Sequence, residues 1–83
     1  SFSHSVYPNP FSNTAIISLP NLQGPNYDFM MYDMLGNVVI RKENISSNSI
    51  MIDRDNLPTG IYSYRITLLG SSNTIATGKL AVK

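Results

Sequence analysis

Gly60-Ile61-Tyr62-Ser63-Tyr64-Arg65-Ile66-Thr67-Leu68-Leu69 is the stretch that decides the fold. Tyr62, Tyr64, Ile66 and Leu68 fall on one side of a two-residue repeat, and Ser63, Arg65 and Thr67 on the other. Successive side chains of a strand point to opposite faces, so this alternation predicts a β-strand with one buried face. A slip of one residue would turn that face to water, so its register is firmly set. Tyr62 and Tyr64 share their face with Ile66, which marks them as core rather than as a sugar-stacking platform.

Working outward, the same kind of pattern recurs about every eight to twelve residues, separated by turn-forming residues. A short strand is expected at Ser5–Tyr7, followed by Pro8 and Pro10, which cannot donate to a ladder. Asn13–Leu19 carries Ala15, Ile17 and Leu19 on one face. Pro20–Asn26 reads as a loop from its proline and glycine content. Tyr27–Asp33 has large apolar groups on both faces, as a central, well-covered strand would. Asp33-Met34-Leu35-Gly36-Asn37 reads as a tight hairpin connection, with Gly36 and Asn37 suited to positive φ. Val38–Glu43 returns, Ser46–Asn48 turns, and Ser49–Asp53 places Ile50 and Ile52 inward. Arg54–Gly60 is a corner, Gly70–Asn73 a turn, and Thr74–Lys83 the last strand. Helical spacing is absent beyond a single turn. The fold expected is all-β: a seven-stranded antiparallel β-sandwich of immunoglobulin-like type.

Eighty-three residues make one domain with a thin core. There is no cysteine, so neither disulfides nor thiolate metal sites contribute. Charged residues are only 13% and the net charge is +1. The six basic residues are dispersed, which argues against a nucleic-acid partner. No apolar run is long enough to span a bilayer, and no stable membrane insertion is expected. No signal peptide is visible; Ser1 suggests a fragment of a longer protein, with any export leader upstream.

Candidates for chemistry give way to plainer readings. His4 is expected to be a solvated tail histidine with no partner, and no serine or threonine has a base nearby in the pattern. Asp53-Arg54-Asp55-Asn56 lacks the glycine and late glutamate of a calcium loop and reads as a turn held by side-chain-to-backbone bonds. Asp33-Met34-Leu35-Gly36 has the spacing of a nucleotide-binding D-x-x-G but no phosphate-cradling loop. Leu57-Pro58-Thr59-Gly60 lacks a residue of the Gram-positive sortase motif and reads as a strand-entry turn. No catalytic residue, metal or cofactor is expected, and the chain is read as not an enzyme.

The final run, Thr77-Gly78-Lys79-Leu80-Ala81-Val82-Lys83, sets Lys79 and Lys83 on one side and Leu80 and Val82 on the other. Two readings remain open: lysines that discourage edge-to-edge aggregation, or a handle that another protein reads. In the second, a strand at a sheet edge accepts a partner strand through its backbone, and the lysines select an acidic groove.

Four motifs follow one another in order: Tyr7-Pro8-Asn9-Pro10-Phe11, Tyr32-Asp33-Met34-Leu35-Gly36-Asn37-Val38-Val39, Leu57-Pro58-Thr59-Gly60-Ile61-Tyr62, and Gly78-Lys79-Leu80-Ala81-Val82-Lys83. In that order they resemble the C-terminal sorting domain of the type IX (Por) secretion system of Bacteroidetes, type A, over nearly all of residues 6–83. Residues 1–5 are then the end of a linker and 6–83 the sorting domain. The resemblance implies a β-sandwich behind a cargo domain in the same chain. It implies passage through the periplasm and across the outer membrane, usually with removal of the domain by a sortase-like peptidase near or before Ser1. The cargo is then released or held at the cell surface. The implied partners are the outer-membrane translocon, a shuttle and that peptidase; the domain is expected to be a monomer, although the sequence neither demands nor forbids pairing through an open edge. It further implies that Gly78, Lys79, Leu80, Val82 and Lys83 serve recognition. Tyr7, Pro8, Asn9, Pro10, Phe11, Asp33, Gly36, Leu57, Gly60 and Tyr62 are then structural family positions. The rival expectation is a non-catalytic binding module, for carbohydrate or a neighbouring domain, appended to a secreted enzyme.

Overall fold

Seven strands form where the alternating runs place them: β1 (Ser5–Tyr7), β2 (Thr14–Ser18), β3 (Tyr27–Tyr32), β4 (Val38–Ile45), β5 (Ser49–Asp53), β6 (Gly60–Leu68) and β7 (Thr74–Val82). They belong to a computed structural model that describes residues 4–20, 26–69 and 73–83. Most of the expected loop at Pro20–Asn26 and turn at Gly70–Asn73 lies outside the described residues. The strands pair antiparallel in two sheets, sheet A with order β1-β2-β5 and sheet B with order β4-β3-β6-β7. The immunoglobulin-like sandwich is therefore present, with β2 reaching β5 and β3 reaching β6 across non-consecutive connections.

Between the sheets lie the inward residues of both patterns. Ala15, Ile17, Ile50 and Ile52 come from sheet A; Tyr27, Phe29, Met31, Tyr62, Tyr64, Ile66, Leu80 and Val82 come from sheet B. No charged or polar residue joins them among the described residues. Each large side chain so buried is worth about 1.5–3 kcal/mol, which lets a domain without disulfides hold together. Phe29 and Tyr64 stack at 5.9 Å in the middle of sheet B. Phe11, outside any strand, is also buried and bridges to Val82 of β7.

Three expectations need correction. β4 runs to Ile45 rather than stopping at Glu43. A shift in register between Tyr27 and Phe29 pairs Tyr27 with Ile45. Asn44 adopts a positive φ of 56° there, and its N–H donates to Asp28 Oδ1 at 2.9 Å. The polar run before Ile45 hides this partly buried residue. β3 is central in sheet B, but its outer residues Met30 and Tyr32 are only half-buried, because no strand among the described residues covers that face. At the hairpin only Gly36 takes a positive φ, 89°; Asn37 does not.

Candidate functional site

β7 is the edge strand of sheet B, paired with β6 on one side only. Its alternation is faithful to the sequence: Leu80 and Val82 are buried, while Lys79 and Lys83 are exposed. Leu80 and Val82, grouped with the lysines by the resemblance, therefore face the core, and only the lysines present their side chains outward. No ion pair or side-chain hydrogen bond among the described residues engages either ammonium.

The outer edge of β7 is not bare, however. The segment joining β1 to β2 lies along its last residues. Asn9 Nδ2 donates to the Lys79 carbonyl at 3.2 Å, and Asn9 Oδ1 accepts from the Ala81 N–H at 3.0 Å. The Phe11 N–H donates to the Ala81 carbonyl at 3.0 Å, and the Lys83 N–H donates to the Phe11 carbonyl at 2.9 Å. The motif Tyr7–Phe11 is thus a latch on the final stretch of β7. Pro8 and Pro10 bring no N–H of their own, so the Asn9 side chain supplies the bonding that a ladder would otherwise make.

The other two motifs meet at the same pole. β3 ends at Tyr32 opposite Ser63, and Gly60 stands opposite Val82. The hairpin, the corner before β6 and the end of β7 therefore share one end of sheet B. Each motif has a local reason. Asp33 accepts the backbone N–H groups of Leu35 and Asn37, both at 2.9 Å, and the Asn37 side-chain amide at 3.2 Å. These bonds, the Asn37 backbone N–H first among them, hold the Asp33 carboxyl below the usual carboxylate range. At the corner, Tyr62 Oη donates to the Pro58 carbonyl at 2.6 Å. A tyrosine hydroxyl bonded a few residues upstream is a recurring device where immunoglobulin-like chains turn into a strand. Arg54 ties the rest of the corner, through Nε to the Leu57 carbonyl at 3.1 Å and Nη2 to Thr59 Oγ1 at 3.2 Å. The side-chain-to-backbone bonds expected here come from Arg54 Nε and Tyr62 Oη rather than from Asp53 or Asp55.

Beside β7, on the outer face of sheet B, is a shallow groove of about 510 Å³. Tyr32, Ser63, Arg65, Thr77 and Lys79 line it, with Tyr64 and Gly78 beneath. Arg65 Nη2 donates to Tyr32 Oη at 3.0 Å and its guanidinium lies 5.8 Å from the ring centroid. Among the described residues, two cations and no carboxylate border the groove. The alternation marked Arg65 as outward but gave no sign of its neighbours, which come from β3 and β7 through pairing alone.

His4 is not a free tail residue. It is half-buried, its Nε2 lies 2.8 Å from Tyr64 Oη, and the two rings meet edge-on at 5.9 Å. Burial pushes the Tyr64 phenol up, so it stays protonated at this contact. Among the described residues no group of three His, Cys, Asp or Glu side chains could hold a metal ion.

A family model described as the secretion system C-terminal sorting domain matches residues 5–83. Among solved structures, the chain is similar to a DUF3244-family protein of Bacteroides vulgatus with an immunoglobulin-like β-sandwich fold. The identity is 16%, all of both chains is covered, and the TM-score is 0.70, a likeness of fold. No curated protein matches.

Proposed function

Given that this chain belongs to the family of type IX secretion C-terminal sorting domains, we propose that it directs a cargo protein, carried ahead of it in the same polypeptide, from the periplasm across the outer membrane. The domain is read by the translocon, passed through the shuttle and then removed by the sortase-like peptidase, leaving the cargo at the surface or outside the cell. The recognised element is β7, with Lys79 and Lys83 as its outward side chains.

One observation carries this reading. Four motifs spread over the whole sequence gather at one pole of the sandwich, around an edge strand whose two lysines are exposed and unpaired among the described residues. The rival binding module is less well supported, since Tyr27, Tyr62 and Tyr64 are buried and cannot form a sugar platform.

The test is export of a periplasmic reporter fused ahead of residues 1–83 in a type IX-competent cell. Deleting Thr77–Lys83 should stop export, but it also removes Leu80 and Val82 from the core. The sharper variant is Lys79→Ala with Lys83→Ala, which should leave stability within about 0.5 kcal/mol while export falls. Unchanged export by that folded double variant would refute the role given to Lys79 and Lys83.

A further inference from the structure

We propose that the docking site on this domain is the uncapped stretch of the β7 edge, Thr77–Lys79, together with the groove beside it. Its occupant is an extended, carboxylate-bearing segment of a partner protein that adds to sheet B as a further strand. This rests on the reading of β7 as the recognised strand and relocates the contact within it.

The latch sets the location. Ala81 turns both its N–H and its carbonyl to Asn9 and Phe11, and Lys79 turns its carbonyl to Asn9. Backbone groups alternate along a strand with a period of two. The N–H and carbonyl of Thr77 and the N–H of Lys79 therefore point to the same outer side, where no strand among the described residues lies against them. On the far side of Thr77 the register shifts between Ile66 and Thr67, and Ile75 packs partly against the core, so the regular edge ends there. Beyond Lys79 the edge is taken by the latch. What remains is a short window, open at its middle among the described residues and bounded at both ends by the domain's own structure.

The groove sets the chemistry. A strand added at this window stands its outer side chains beside Thr77 and Lys79. Arg65 lies directly across from Thr77 on β6. Thr77 is small, so a glutamate on the incoming strand can reach over it to the guanidinium. Arg65 has five N–H donors and gives one to Tyr32, which fixes the group and leaves donors for a carboxylate. Lys79 adds a second cation at the same rim. Charge complementarity thus favours an acidic segment, and backbone pairing makes its recognition tolerant of sequence.

The experiment compares export of the full-length protein carrying Thr77→Pro or Arg65→Glu with the parent. Proline deletes the outward N–H at a position where an edge strand tolerates it. Thermal melts of the purified variants check folding. Thr77→Pro and Arg65→Glu should each slow export by roughly three- to tenfold. Normal export by folded Thr77→Pro overturns the strand addition. A loss with Arg65→Glu alone, Thr77→Pro being folded and normal, also overturns it and indicates an anion bound without backbone pairing, such as a charged glycan. Should Thr77→Pro fail to fold, Arg65→Glu decides, and normal export overturns the proposal. The Lys79→Ala, Lys83→Ala pair separates the two levels. If it blocks export while these variants do not, β7 remains the recognised strand and only the docking window is wrong.

Discussion

Tyr64 and Gly78 stand directly opposite each other in the β6–β7 ladder, and the tyrosine ring lies over the glycine where a side chain would be. A Cβ on residue 78 would sit 2.6 Å from Tyr64 Cζ and 2.9 Å from Cε2, nearer still to the hydroxyl oxygen. The glycine that looked like part of a recognition tip thus has a packing reason. Gly78→Ala should destabilise the domain by about 1–3 kcal/mol, the usual cost of overpacking. In a Tyr64→Leu background the added methyl has room, and the second substitution should cost under about 0.5 kcal/mol. Urea melts of the four proteins give the coupling directly. Additive costs would mean that the ring is not what excludes the side chain.

The latch makes a separate prediction. Asn9→Ala removes two hydrogen bonds from the β7 edge, one at the Lys79 carbonyl and one at the Ala81 N–H. The stability loss should be about 1 kcal/mol. Hydrogen exchange at the Ala81 amide should quicken by roughly tenfold. The Lys83 amide, bonded to the carbonyl of the buried Phe11, should keep its protection. Equal acceleration of both amides would show that Asn9 holds the whole segment rather than one bond pair.

What could be read from the sequence follows from the range of the interactions involved. The alternation of Tyr62, Tyr64 and Ile66 reflects a property of one strand, and so did the burial of Leu80 and Val82 and the exposure of Lys79. The hairpin at Asp33–Asn37 was legible for the same reason, since its bonds close within five residues. The contacts of Asn9 with Lys79 and Ala81, of His4 with Tyr64 and of Arg65 with Tyr32 join residues 33 to 72 positions apart. Nothing in a local pattern announces them. Motif order carried the family resemblance, without saying that Tyr7–Phe11 covers the edge formed by Gly78–Lys83.

Asp33 gives a pH dependence. Its carboxyl is held below the usual range by hydrogen bonds made only in the folded hairpin, so its folded pKa is depressed relative to the unfolded chain. The stability it contributes is present above the unfolded carboxylate pKa and is lost as pH falls through the depressed folded value. Asp33→Ala should therefore be less stable than the parent at neutral pH. The gap should narrow as pH falls below the ordinary carboxylate range. Urea midpoints from neutral pH down into that acid range measure it. A gap that is constant with pH would assign the effect to the turn's shape instead of to the carboxylate.

Neighbouring positions on β7 allow folding to be told apart from recognition. Leu80 is fully buried and packs in the common core, so Leu80→Ala should cost about 2–5 kcal/mol. Lys79, one residue earlier, faces outward, and Lys79→Ala should change stability by less than about 0.5 kcal/mol. Loss of export in Leu80→Ala alone would report only that an unfolded domain is not exported. Loss in Lys79→Ala, with a melt superimposable on the parent, places the defect after folding, because the sandwich presented to the secretion machinery is then unchanged except for one charge. Raising the salt should mimic Lys79→Ala in binding measurements with the purified partner, since an exposed cation acts within a screening length of about 10 Å at 0.1 M. Affinity that is indifferent to salt would exclude a charge-reading role for this lysine, leaving the backbone of β7 as the recognised feature.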